Sequence, residues 1–184
     1  MCALRDGIER GSGGVSRKWK IVTGWVTAIA VVDQVTKAVV DGKMPLHHSI
    51  AIIDGLFNLT YVRNTGAAFG IFAGSHEVFR RPFLIGVSII AIGFILVMLR
   101  RLREDATGLT TALAFILGGA IGNLIDRIVY GEVIDFLDVY WSSYHWPAFN
   151  VADSFITIGV TITLFYLAGA KGDDPFAPPA RTVV

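Results

Sequence analysis

Four stretches of the chain, roughly Lys20 to Val40, Phe83 to Leu99, Leu109 to Ile128 and Asn150 to Ala168, are almost continuously apolar. A helix needs about 20 such residues to cross a hydrocarbon core about 30 Å thick, so this pattern predicts four membrane spans. Composition agrees: 53% of residues are hydrophobic and 17% charged, with a mean hydropathy of +0.59, which is more apolar than an ordinary soluble domain. The first stretch differs from a secretory signal, because it carries Asp33 and Lys37 and has no short apolar region ending at a small-residue cleavage site. It reads as a retained span.

Lysine and arginine concentrate on the cytoplasmic side of a membrane and so set orientation. Arg5, Arg10, Arg17, Lys18 and Lys20 precede the first span, and Arg100, Arg101 and Arg103 lie between the second and third. Both termini are therefore expected in the cytoplasm, with the segments from about Asp41 to Pro82 and Val129 to Phe149 outside. Arg80 and Arg81 are a minor counter-signal.

In the first outer segment, Ile50 to Ile53 and Leu56 to Val62 are rich in β-branched and aromatic residues and are punctuated by Asp54-Gly55 and Asn64-Thr65-Gly66. They read as short strands joined by turns, a small β element on the outer face. The organisation is a membrane domain over 20–168 with cytoplasmic tails at 1–19 and 169–184. The tail from Lys171 and most of Met1 to Val15 lack an apolar period and are expected to be unstructured. A net charge of +1, with basic residues in short scattered clusters, offers no stripe for a phosphate backbone, so nucleic acid is not an expected partner. The single cysteine, Cys2, allows neither a disulfide nor a cysteine metal site, and no apolar signal segment precedes it to make it an acylation site. No internal repeat of the transporter kind is present.

Ionisable groups inside a span usually face a bundle interior or a wet cavity, which makes each one a candidate for function. Asp33 and Lys37 are four apart on one helix face, and counting about 1.5 Å per residue from Ile21 puts Asp33 roughly 18 Å along, toward the outer side. A structural ion pair bracing the bundle is the favoured reading of the two over a functional role. The third span ends in Gly118-Gly119-Ala120-Ile121-Gly122-Asn123-Leu124-Ile125-Asp126-Arg127. The small residues suit close helix packing, and Asn123 and Arg127 share a face beyond them. Snorkelling to the outer interface would also account for Arg127. Asp126 reads as pairing with Arg127 or ending its helix, and Asp138 as a solvated surface residue.

Two further aspartates sit where the last spans meet the outer face. Asn150 reads as an N-cap with Asp153 three residues on, where the helix dipole and free N–H groups favour a carboxylate. Capping alone would account for Asp153. It leaves unexplained Asp135, embedded between Ile134 and Phe136, where desolvation would raise its pKa. Such a pair can share one proton, the ionised member activating water and the neutral one protonating a peptide bond. Other schemes are weaker: Cys2 is remote, no Gly-x-Ser-x-Gly elbow exists, and Ser154 has no histidine at motif spacing. His47, His48, His76 and His145 form no His-Glu-x-x-His pattern and read as bystanders. Two rivals are a small channel lined by Asp33, Lys37, Asn123 and Arg127, and a lipid-phosphate transferase whose aspartates hold Mg²⁺.

The order of these motifs resembles the lipoprotein signal peptidase (signal peptidase II) family. Asp33-Gln34-Val35-Thr36-Lys37 is similar to its first box, Asn58 through Gly70 to its second, Gly118 through Arg127 to its third, Val133-Ile134-Asp135-Phe136 to its fourth and Phe149 through Ser154 to its fifth. Ile134 stands where the family more often has Val. The resemblance covers about residues 20 to 168. It implies an all-α integral membrane protein with four transmembrane helices and a small extracytoplasmic β cradle, set in the bacterial inner membrane. It also implies an aspartyl dyad of Asp135 and Asp153 near the outer face, needing no metal or cofactor. The family's supporting polar residues match Asp33, Lys37, Asn64, Asn123, Arg127 and Asn150. The implied substrate is a prolipoprotein already diacylglycerylated on its lipobox cysteine and cut just before it, with membrane lipid as surroundings and the cyclic peptide globomycin as inhibitor.

The orientation is open to a direct check. With Cys2 removed, single cysteines at Ser75 and Ser143 should react with an impermeant thiol reagent added outside, and one at Thr107 should not; labelling at Thr107 alone reverses the topology.

Overall fold

The computed structural model describes residues 15–66, 76–169 and 175–176. Cys2, Ala67 to Gly70 at the end of the second box, Ser75 and nearly all of both tails lie outside the described residues. The chain runs α1 (Arg17–Lys43), β1 (Ser49–Ile53), β2 (Phe57–Asn64), α2 (Glu77–Arg101), α3 (Thr107–Val129), β3 (Val133–Trp141), β4 (Tyr144–His145) and α4 (Val151–Gly169). Each of the four apolar stretches is a helix. By length and composition α2, α3 and α4 can cross a membrane. α1 is as long but carries more charge, from Arg17 to Lys43.

The bundle is arranged inside out relative to a soluble protein. α1 buries Lys18, Val22, Ile29, Asp33, Lys37 and Val40 along one stripe, while Val31, Val32, Val35 and Val39 face outward. Apolar side chains can face outward only where the surroundings are themselves apolar, and buried charges then need partners inside. α3 is the central helix, packed on α1, α2 and α4. Its small residues make that possible: a Cβ on Gly119 would lie 2.4 Å from the Ala152 carbonyl oxygen on α4, and one on Gly122 would lie 2.6 Å from Asp33 Oδ2 on α1. At one end Val22, Leu99, Leu102, Leu109, Leu113 and Leu117 form an apolar cluster.

The strands form one antiparallel sheet in the order β1-β2-β3-β4. Gly55, with φ of 78°, supplies the left-handed turn between β1 and β2. The sheet is larger than the two strands expected, because the second outer segment adds β3, which pairs with β2 through Val62 opposite Asp135 and Asn64 opposite Val133. Gly131, with φ of 79°, turns the chain from α3 into β3. Arg81, whose charge ran against the orientation rule, donates from Nη2 to the Ile128 carbonyl at 2.7 Å and so satisfies the end of α3. Pro175 and Phe176 depart from the unstructured tail expected there: Arg103 N–H donates to the Pro175 carbonyl at 3.1 Å, and Phe176 packs on the apolar cluster, where burying its ring favours order.

The contact between α3 and α4 predicts a selective sensitivity to one methyl group. Gly119→Ala forces backbone apart and should cost about 1 to 3 kcal/mol by thermal unfolding, whereas Gly86→Ala, with nothing within 4 Å of its added Cβ, should leave the midpoint unchanged.

Candidate active site

The deepest element of the site is the ammonium of Lys37, with a side-chain exposure of 2%. Its three N–H donors match three acceptors: Asp33 Oδ2 at 2.8 Å, Asp126 Oδ2 at 2.8 Å and Asn123 Oδ1 at 2.9 Å. Asp33 and Asp126 are both fully buried. Each ties the ammonium to another part of the fold. Asp33 Oδ1 accepts the Ala152 N–H in the first turn of α4 at 2.9 Å, and Asp126 Oδ2 accepts the Ile134 N–H of β3 at 3.2 Å. Gln34 Nε2 donates to Asp126 Oδ1 at 2.8 Å and reaches the Gly122 carbonyl at 3.2 Å.

Because Lys37 can only donate, it fixes the Asn123 amide with its oxygen inward and its nitrogen outward. Asn123 Nδ2 accordingly donates to Asp153 Oδ1 at 2.8 Å. Asn150 reaches the other aspartate: its Nδ2 donates to Asp135 Oδ1 at 2.7 Å. Its Oδ1 accepts the Asp153 N–H at 2.9 Å, while Asp153 Oδ2 accepts the Asn150 N–H at 3.3 Å. This reciprocal pairing is a capping box built with aspartate, and it starts α4. Asn64 on β2 completes the set, donating from Nδ2 to Asp135 Oδ2 at 3.0 Å. Asp135 is 2% exposed, and burial, followed by the nearby Asp153 carboxylate, pushes its carboxyl up to about 7 against the hydrogen bonds from Asn64 and Asn150.

Asp135 and Asp153 open onto a cavity of about 820 Å³. Asn64, Asn123 and Arg127 line it beside them, with an apolar wall from Trp146 to Phe149 and from Ile156 on α4. Arg127 Nη1 donates to the Asn123 carbonyl at 3.4 Å, and its Nε has no hydrogen-bond partner among the described residues. All eight residues singled out from the sequence, Asp33, Lys37, Asn64, Asn123, Arg127, Asp135, Asn150 and Asp153, thus converge on one region. Among the described residues no three His, Cys, Asp or Glu side chains are grouped to hold a metal ion.

Two other aspartates depart from their expected places. Asp126 does not pair with Arg127 in the expected manner; it lies inward, because it shares the Asn123 face three residues on and Lys37 from α1 meets it there. Asp138 is not solvated but 8% exposed, accepting from Asn58 Nδ2 at 2.9 Å and from His145 Nδ1 at 2.9 Å. His145 thus meets Asp138 as a hydrogen-bond partner. Gln34 was not singled out at all, although it lies within the first box.

Comparison with known proteins decides the relationship. The family model described as signal peptidase (SPase) II matches residues 25–168. The chain belongs to that family. It is 54% identical over 144 residues to the lipoprotein signal peptidase of Geobacter sulfurreducens, covering 78% of this chain and 89% of that protein. It is 52% identical over 132 residues to the lipoprotein signal peptidase of Syntrophus aciditrophicus, covering 72% and 82%. A bacterial membrane enzyme solved by the in meso method at 2.3 Å resolution superposes with a TM-score of 0.73 at 29% identity, over 84% of this chain and 94% of that one. The match to the signal peptidase II family takes in all of α3 and β3 and nearly all of α4, and with them most of the polar network.

That network predicts how it fails. Lys37→Met leaves two buried carboxylates without their counter-charge and should destabilise the protein by about 3 to 5 kcal/mol. Adding Asp126→Asn should recover part of that loss in thermal unfolding; no recovery would mean the carboxylates do not share the ammonium.

Proposed function

We propose that the chain is an aspartyl endopeptidase of the membrane, which removes signal peptides from diacylglyceryl-modified prolipoproteins by cutting just before the lipidated lipobox cysteine. Asp135 and Asp153 are its catalytic pair. The observation that carries this reading is that two aspartates from separate elements, joined through the single side chain of Asn150, open onto one largely apolar cavity. The chain's membership of the signal peptidase II family and its relatives' name support the substrate class.

In the reaction, Asp153 is the ionised member. It sits in the first turn of α4, where the backbone dipole favours negative charge, and accepts two hydrogen bonds, from Asn123 and from the Asn150 N–H. Asp153 takes a proton from water as the water oxygen attacks the scissile carbonyl. Asp135, buried and protonated, gives its proton to the carbonyl oxygen. Collapse of the tetrahedral intermediate breaks the C–N bond: the proton held by Asp153 passes to the leaving amine while a hydroxyl of the intermediate returns its proton to Asp135, which restores both groups, and no covalent enzyme intermediate forms. Asn64, Asn123 and Asn150 hold the carboxylates in place, Lys37 holds Asn123, Asp33 holds Lys37 and the start of α4, and Arg127 offers its free Nε–H to a substrate oxygen. An apolar signal helix fits such a cavity at the edge of a bilayer. All four helices span the inner membrane, with both termini cytoplasmic and the dyad near the outer face. Globomycin binds at the dyad.

Asp135→Asn and Asp153→Asn should each abolish cleavage of a diacylglyceryl lipobox peptide while the protein still folds, with the double variant scarcely worse. Asp138→Asn should still turn over. Since Asp135 must be protonated, activity should fall as pH rises through about 7. Stability follows the same sign: a carboxyl raised on folding loses its contribution between the ordinary carboxylate range and about 7, so the parent should weaken over that window relative to Asp135→Asn. EDTA should have no effect. Appreciable cleavage by either single dyad variant would sink the mechanism.

A further inference from the structure

Asp138 is a buried carboxylate that the proposed chemistry does not use. None of its partners is shared with Asp135 or Asp153: Asn58 lies directly across from it on β2, and His145 comes from β4. A carboxylate can only accept, so the His145 Nδ1 atom between its two oxygens, at 2.9 and 3.1 Å, carries the hydrogen. The imidazole is held from a second side by stacking on Tyr140, with centroids 4.8 Å apart and planes inclined by 8°. Tyr140 is fixed in turn, its hydroxyl accepting the Gly55 N–H at 2.8 Å.

The position of His145 in the chain gives this arrangement a consequence. β4 is only two residues long, pairing Tyr140 with His145 and Trp141 with Tyr144, so its backbone pairing does little to restrain the next residues. Those residues are the cavity wall from Trp146 to Phe149, and then Asn150. The wall has backbone ties at its two ends: Trp146 N–H donates to the Val139 carbonyl at 2.8 Å, while Phe149 N–H donates to the Leu137 carbonyl at 3.0 Å and the Phe149 carbonyl accepts the Phe136 and Leu137 N–H groups at 3.0 and 2.8 Å. A hydrogen bond to a buried carboxylate immediately before the first tie adds a charge-assisted side-chain restraint there.

We propose that Asp138 and His145 form a latch that positions the Trp146 to Phe149 wall against the substrate, making them positioning residues that set how tightly this enzyme holds what it cleaves. The proposal rests on the peptidase reading above. A latch of this kind acts on binding, because its wall faces the cavity and neither residue touches the dyad. Its loss should therefore appear in KM and leave kcat near the parent value.

The test uses the full-length protein with a diacylglyceryl lipobox peptide, together with amide hydrogen exchange. Asp138→Ala and His145→Ala should each raise KM about tenfold, the scale of one charge-assisted hydrogen bond, while kcat changes less than about twofold. The double variant should match the singles, since the two residues act as one unit. His145→Asn keeps a donor at the place of Nδ1 and should return KM toward the parent. Without substrate, amides from Tyr144 to Phe149 should exchange faster in both alanine variants while those of α3 and α4 stay protected. A lower kcat at unchanged KM, additive effects in the double variant, no recovery by His145→Asn, or faster exchange across the whole bundle would each overturn the latch. If the parent itself fails to cleave the peptide, the peptidase reading falls while the exchange pattern still decides whether the latch exists.

Discussion

An ammonium group buried among helices with an apolar exterior is costly unless every donor finds an acceptor, and the fold is organised around meeting that demand for Lys37. Two carboxylates and one amide surround it. Asp33 then reaches α4, Asp126 reaches β3, and Asn123 reaches Asp153. The same contacts that neutralise one charge thus set the relative positions of α1, α3, α4 and the sheet. Gly122 is part of this arrangement, since a side chain there would collide with Asp33.

The site extends outward from that centre toward the cavity. Lys37, Asp33, Asp126 and Asn150 are closed to solvent, Asn123 is nearly so, and Asn64, Asp153 and Arg127 are only partly buried at the cavity. Each layer orients the next by donor and acceptor matching. Lys37 settles which way Asn123 points, and Asn150 presents its nitrogen to Asp135 and its oxygen to the backbone of Asp153. Asparagine suits this task because it carries both a donor and an acceptor on a short side chain.

The long helices and the site residues were legible in the sequence for different reasons. Length and hydropathy located each helix, but α2 begins at Glu77 rather than Phe83 because Glu77, Arg80, Arg81 and Pro82 interrupt the apolar run that an apolar window detects. β-Branched and aromatic residues with the turn at Asp54-Gly55 marked β1 and β2, whereas β3 was hidden because a strand buried along much of its length reads as an apolar run without a period. Asp135 and Asp153 stood out by their local surroundings. Asp126 and Asp138 did not, since what meets them comes mainly from distant parts of the chain, Lys37 on α1 for one and Asn58 on β2 for the other, with His145 brought back onto Asp138 by the turn into β4. Only the i, i+3 relation of Asn123 and Asp126 could have hinted at the first.

Sharing one ammonium between two carboxylates also constrains how the chain can be assembled. α1 precedes α3 in the chain, and its Asp33 and Lys37 compensate each other across one helical turn. Asp126 arrives later with no cation of its own in that ring, and its remaining acceptors are met by Gln34 of α1 and by the Ile134 N–H, which is synthesised later still. The buried charge of the third helix is therefore matched by the first, and its acceptors are all met only with β3 against it. Packing of α3 on α1 and completion of the polar network are in this way coupled, and a bundle without β3 in place would leave an acceptor of Asp126 unsatisfied.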